Sequence, residues 1–96
     1  MIASFKSEDA ELIWCGFFSK KIKLPSHLHD LARRKLRMIA AAAKLETLRI
    51  PPNNRLELLG GDRKGEWSIR INNQWRICFK WQEGNAFDVE ITDYHR

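Results

Sequence analysis

From Trp67 to Ile91 apolar side chains return at every second position, and this rhythm commits the second half of the chain to strands. Trp67, Ile69 and Ile71 alternate with Ser68 and Arg70. Trp75, Ile77, Phe79 and Trp81 alternate with Arg76, Cys78 and Lys80, and Phe87, Val89 and Ile91 with Asp88 and Glu90. Successive side chains of a strand point to opposite faces, so each run reads as one strand with one apolar face. Three such runs in succession predict an antiparallel meander packed on one side only. Leu56 and Leu58 mark a further strand ahead of them.

Keeping the apolar faces together fixes a register. A three-residue loop at Asn72-Asn73-Gln74 pairs Ile71 with Trp75 and Ile69 with Ile77, whereas a two-residue loop sets Trp75 beside Arg70. A three-residue loop centred on Gly84 pairs Trp81 with Phe87 and Phe79 with Val89. Trp67, Ile69, Ile71, Trp75, Ile77, Phe79, Val89 and Ile91 are then expected to face whatever covers the sheet.

The first half supplies that cover. Met1 to Lys6 reads as a short strand anchored by Ile2 and Phe5. Ser7 can cap a helix whose first turn carries Glu8, Asp9 and Glu11, where the helix dipole favours negative charge. Leu12, Ile13, Phe17 and Trp14 are its candidate apolar stripe, with Lys20, Lys21 and Lys23 at or past its end. Pro25 and Ser26 open a second helix running to about Lys44. Leu28, Leu31, Ala32, Leu36, Ile39, Ala40 and Ala43 recur on one side of it, and Asp30, Arg33, Arg34, Arg37 and Lys44 on the other. The expected fold class is α+β: an N-terminal helical hairpin packed on a small antiparallel sheet, as one domain over residues 1–96.

Composition narrows the partners. Lys and Arg total 17 against 12 Asp and Glu, a formal net charge of +5, which suits an anionic partner such as nucleic acid or an acidic protein. Cys15 and Cys78, far apart and without CxxC spacing, read as reduced thiols of a cytoplasmic protein. The N-terminus lacks the pattern of a signal peptide, and no run reaches the length of a membrane span. His27 and His29 do not share a helix face, so neither a metal nor another cofactor is expected.

The register has a consequence on the polar face. Arg70 falls opposite Arg76, and if Leu56 packs beside Ile69, Arg55 lands next to Arg70. Like charges so placed destabilise a sheet. The row either grips phosphate through bidentate hydrogen bonds, or fans into solvent or pairs with Glu57 and Glu90. Lys80 opposite Asp88 is a compensated pair. Continued alternation puts Tyr94 on the face of Arg70 and Arg76, beside Asp93 and His95. A Tyr and a His next to arginines can supply a base, an acid and charge stabilisation for phosphodiester cleavage, with His the nearest to neutrality. The alternative is a frayed terminus. The Gly60-Gly61 loop lacks the strand-to-helix setting of a phosphate-binding loop.

Residues 59–71 (LGGDRKGEWSIRI), Trp75-Arg76-Ile77-Cys78-Phe79, the closing Asp93-Tyr94-His95, the opening Met1-Ile2-Ala3-Ser4-Phe5 and the overall length resemble HigB toxins of the RelE/ParE superfamily. The resemblance implies a RelE-like fold and a ribosome-dependent endoribonuclease that cuts mRNA in the A site, where a ribose 2′-hydroxyl attacks the adjacent phosphate. It assigns charge stabilisation to Arg76 and the catalytic C-terminal motif to Asp93, Tyr94 and His95. It implies a HigA-like helix-turn-helix antitoxin as partner, with DNA contacted only through the antitoxin complex. Arg55, Arg63, Lys64 and Arg70 are the expected RNA-binding residues. Many HigB toxins carry a His and a Lys where this chain has Glu57 and Gly60; Glu57 is then the candidate base, and Arg63 or Lys64 the substitute charge. Two rivals remain: an inhibitor without nuclease chemistry, resembling ParE proteins that act on DNA gyrase, and a weak toxin kept as co-repressor.

Overall fold

The computed structural model describes residues 1–94. Its helices are α1 (Glu8–Cys15) and α2 (His29–Ala41), and its strands β1 (Glu57–Leu58), β2 (Trp67–Arg70), β3 (Trp75–Gln82) and β4 (Asn85–Asp93). The strands form one antiparallel sheet in sequence order. Ala10 and Ile13 of α1 and Ala32, Leu36 and Ile39 of α2 share a buried core with Ile69, Ile77, Phe79 and Val89 of the sheet.

Ser7 caps α1 as expected, and its Oγ has a second task. It accepts from the Ala10 amide at 3.2 Å and from the Ile91 amide at 3.4 Å, which fastens the helix start to β4. Gly16, at φ 81°, ends the helix in a left-handed cap. The helix is therefore too short to include Phe17, which is 63% exposed rather than part of an apolar stripe. The second helix also stops early. After a 3-10 turn at Ser26–Leu28, α2 ends at Ala41 because Ala42 turns extended, so Ala43 is exposed instead of facing the core.

β2 and β3 take the expected register, with Ile69 opposite Ile77 and Arg70 opposite Arg76. The β3–β4 hairpin departs from expectation near its turn. Gln82 pairs with Asn85 and Trp81 with Ala86, so the loop is the two residues Glu83-Gly84. Both have positive φ (51° and 78°), the left-handed pair whose twist matches that of a two-residue hairpin. An extra residue is then absorbed between the pairs Lys80–Phe87 and Cys78–Glu90, where Asp88 sits at φ 51°. Beyond this bulge Ile77 meets Ile91. Ala86 is buried in the core, and Phe87, the residue expected there, pairs with Lys80 instead. Lys80 still reaches Asp88, at 3.3 Å.

The N-terminal segment lies parallel to the outer edge of β4 but makes only two isolated bridges, Ile2 with Ala86 and Phe5 with Val89. The Ser4 Oγ accepts from the Asp88 amide at 2.8 Å. The bulge breaks the ladder there, which explains why the expected strand over Met1 to Lys6 is not continuous.

Candidate active site

The face of the sheet turned away from the helices carries the arginine row. Arg76 lies only 7% exposed, held by protein groups on each of its nitrogens. Its Nε donates to Ser68 Oγ at 2.7 Å, its Nη2 donates to the Arg55 carbonyl at 2.7 Å, and its Nη1 lies 3.4 Å from Glu57 Oε1. The Tyr94 ring packs against it, 5.5 Å from the guanidinium carbon to the ring centroid. Two of the five guanidinium N–H groups are thus used in hydrogen bonds, and the Glu57 carboxylate stands at ion-pair distance. The guanidinium is therefore aimed and does not fan into solvent, and its ion pair with Glu57 is the pairing that the alternative reading of the arginine row expected.

Each partner is placed by local structure. Ser68 is the strand neighbour of Glu57 on one side and of Cys78 on the other. Arg55 adopts a left-handed conformation (φ 46°) after the 3-10 turn Pro52–Asn54, and its carbonyl accepts from Arg76. Asn54, fully buried, fixes that turn. Its Nδ2 donates to the Leu48 carbonyl at 3.1 Å and to the Ile50 carbonyl at 3.4 Å, and its Oδ1 accepts from Lys35 Nζ. Tyr94 is brought in by its amide, which donates to the Gln74 carbonyl at 2.6 Å.

Together Arg55, Arg70, Arg76, Glu57, Tyr94 and the turn 72–74 line an open cleft of about 410 Å³. Three guanidinium groups against one carboxylate make it cationic. Arg70 Nη2 donates to Asn73 Oδ1, which orders it over the rim. A phosphate seated here would meet charged N–H donors, with the Glu57 carboxylate and the Tyr94 phenol beside them as groups able to take or give a proton.

The remaining sequence-derived candidates lie elsewhere. Arg63 bridges Glu66 at 3.1 Å and Glu90, and the hydrogen bond it donates to the Glu90 carboxylate raises its pKa above the ordinary arginine value. It does not line the Arg76 cleft. Lys64 is exposed in the loop before β2 and is not among the lining residues. Asp93 pairs with Trp75, so it belongs to the opposite side of the strand, where its Oδ2 accepts from Gln74 Nε2 at 3.2 Å. His95 lies outside the described residues.

Sequence reasoning missed three residues that build the site. Ser68 carried a usable signal, since it shares a face with Arg70 two positions away. Asn54 looked like one more turn residue in Pro51-Pro52-Asn53-Asn54. Lys35 is buried at 4% exposure, and its signal was positional: Leu28, Ala32, Lys35 and Ile39 follow the spacing of a helix core stripe. Among the described residues no cluster of three or more His, Cys, Asp or Glu could hold a metal ion.

Two helices on one face of a four-stranded antiparallel sheet, with a cationic cleft on the other, give the RelE-like architecture. A chain of the YoeB–YefM complex from Staphylococcus aureus has the same fold: it matches over 100% of this chain and 99% of its own length, with a TM-score of 0.51 at 15% identity. Toxin HigB-1 from Vibrio cholerae serotype O1 is 42% identical over 71 residues, 74% of this chain and 75% of that protein. Endoribonuclease HigB from Proteus vulgaris is 33% identical over 97 aligned positions, 99% of this chain and 100% of that protein. The family of RelE-like HigB toxins of type II toxin–antitoxin systems matches residues 14–95, and the chain belongs to it.

Proposed function

We propose that this chain is a ribosome-dependent mRNA endoribonuclease, held in check by a HigA-like helix-turn-helix antitoxin. The observation that carries the reading is Arg76, nearly buried, fixed by Ser68, Arg55 and Glu57, and forming a wall of a cationic cleft. The name of the Proteus vulgaris relative, an endoribonuclease, supports the same chemistry.

In the proposed reaction the ribose 2′-oxygen attacks the adjacent phosphorus and the bond to the 5′-oxygen breaks, giving a 2′,3′-cyclic phosphate. The 2′-hydroxyl proton passes to the Glu57 carboxylate. The leaving 5′-oxygen takes a proton from the C-terminal motif, for which His95, directly after Tyr94 in sequence, is the proposed donor. Arg76 neutralises the negative charge that grows on the phosphate oxygens, and Arg55 and Arg70 hold the strand. Asp93, on the opposite side of the strand, orients the C-terminus through Gln74. Arg63 and Lys64, outside the cleft, are the proposed contacts of flanking RNA.

The cleft is open and offers few proton-transfer groups, so alignment of the RNA must come from elsewhere. The decoding centre supplies it in this reading, and alignment alone accounts for a large part of such a barrier. The protein acts in the cytoplasm and reaches DNA only through its antitoxin. Among the described residues no helix is long and apolar enough to cross a membrane.

The test is to map transcript ends after induction and to repeat the cleavage with purified protein on programmed ribosomes and on naked mRNA. Cuts that need translation are expected. Equal cutting of naked mRNA would remove the ribosome from the reading. Growth arrest without cuts would favour a ParE-like inhibitor, and neither arrest nor cuts a co-repressor.

A further inference from the structure

We infer that the groove between α2 and the end of β2 is a second phosphate-binding subsite, for the backbone phosphate next to the one held at Arg76. The choice of ligand rests on the RNA reading above, but the test requires no cleavage. The groove encloses about 320 Å³ and is lined by Leu31, Lys35, Asn53, Arg70, Ile71 and Asn72. Arg70 and Asn72 also line the Arg76 cleft, so the two sites share a wall.

The floor of the groove carries an unusual charge. Lys35 is 4% exposed, and its ammonium donates to the neutral amide oxygen of Asn54. Among the described residues no carboxylate lies within ion-pair distance of it, and neither Asp nor Glu lines the groove. Burying an ammonium against a neutral partner is unfavourable. Burial, with Arg34 adding to it, lowers the Lys35 pKa from its ordinary value. An anion in the groove supplies the countercharge. Arg70, on the shared wall, gives such an anion a second cationic partner, and the Leu31 and Ile71 side chains limit water at its flank, which strengthens the attraction.

The probe is a nucleoside 3′,5′-bisphosphate, whose phosphates are one ribose apart, compared with the 3′-monophosphate. Calorimetric titration of the full chain should give a bisphosphate affinity at least roughly tenfold higher. Lys35→Met and Lys35→Gln should each abolish that advantage, read as the ratio of bisphosphate to monophosphate affinity within the same variant, the second variant keeping a donor for Asn54. Lys20→Met, removing an equal charge elsewhere, should leave the advantage intact. Retention of the advantage in both Lys35 variants, or its loss in the Lys20 control, would overturn the subsite. Arg76→Ala should weaken the monophosphate; if it does not, the active-site reading fails while the Lys35 result stands. In the parent protein the backbone amide signals of Leu31 and Ile71 should shift with the bisphosphate only. Absence of that shift counts against the subsite even if both Lys35 variants fail to fold.

Discussion

The Nη2 of Arg76 donates to the carbonyl oxygen of Arg55 at 2.7 Å, so a strand residue is aimed by a turn residue from outside the sheet's regular pairing. The turn is in turn held from the helical side, where Lys35 of α2 bonds the buried Asn54 next to Arg55. Lys35, Asn54, Arg55 and Arg76 thus form a line that runs from α2 to the opposite face of the sheet. The direction of the guanidinium depends on packing on both faces.

Asn54→Ala tests that line. It leaves the Leu48 and Ile50 carbonyls and the Lys35 ammonium without their amide, and each buried polar group left unpaired costs about 1–3 kcal/mol. We expect a net loss of about 2–4 kcal/mol in denaturant unfolding. At a temperature where the variant remains folded, single-turnover cleavage on programmed ribosomes should still be slower than in the parent, because the Arg55 carbonyl is no longer fixed. A parental rate there would mean that Arg76 is aimed without the turn.

Arg76→Ala and Arg76→Lys separate charge from geometry. A lysine keeps the positive charge but cannot bond Ser68, the Arg55 carbonyl and Glu57 together from one planar group. Arg76→Ala should slow single-turnover cleavage by roughly 10²- to 10³-fold on saturating ribosomes. Arg76→Lys should recover only a small part of this. Full recovery would show that charge alone suffices and that the three anchors serve stability.

The strand half of the fold was legible because alternation survives wherever one face is buried: Ile69 opposite Ile77 and Arg70 opposite Arg76 follow from it. The β3–β4 turn was not, since Glu83 and Asp88 adopt left-handed conformations that neither residue type announces strongly. The slip near the turn is cancelled by the bulge, so the Ile77–Ile91 end, on the side of Arg76, kept the register that alternation implies. Tyr94 could be placed on the arginine face for that reason. What periodicity could not reach is the buried polar line through Asn54 and Lys35, which depends on contacts between segments with no shared repeat. Glu57 was legible as an ion-pair partner of the arginine row, whereas its role as candidate base was drawn from a resemblance, and its ion pair with Arg76 depends on β1 being just long enough to pair with Ser68.

The two cysteines should differ sharply in reactivity. Cys15 is exposed at the end of α1, whereas Cys78 is buried in β3, and burial pushes its thiol pKa up despite the neighbouring Arg63. The thiolate is the reacting form. A thiol reagent at neutral pH should therefore label Cys15 in the folded protein and reach Cys78 only in denaturant. Equal rates at both sites would mean that the loop carrying Arg63 opens readily.

Lys35 gives a pH dependence with a defined sign. Its pKa in the folded state is lowered from 10.5. Above the lowered value the folded protein has released this proton while the unfolded chain still holds it, so unfolding takes up a proton and stability rises with pH. Below both values the two states are equally protonated and the penalty of the buried charge is present in full. The unfolding free energy of the parent minus that of Lys35→Met should thus grow as pH climbs from the lowered value toward 10.5. A flat difference would mean that water reaches the ammonium.

Tyr94 has two ways to act on Arg76, and substitution can tell them apart. Its ring lies 5.5 Å from the guanidinium carbon, close enough to stabilise the cation and limit its motion by about 0.5–2 kcal/mol. Its hydroxyl, by contrast, can take part in proton transfer, which typically contributes about 10²- to 10⁴-fold. Tyr94→Phe keeps the ring and removes only the hydroxyl; Tyr94→Ala removes both. With Glu57 and the C-terminal motif moving the protons, the phenylalanine variant should cut within about threefold of the parental single-turnover rate, a change smaller than 1 kcal/mol. The alanine variant should fall by roughly tenfold or more, as Arg76 loses the surface it rests on. Saturating programmed ribosomes keep weakened binding out of the comparison. Equal, deep losses in both variants would move the chemistry onto the phenol and leave Glu57 to anchor Arg76.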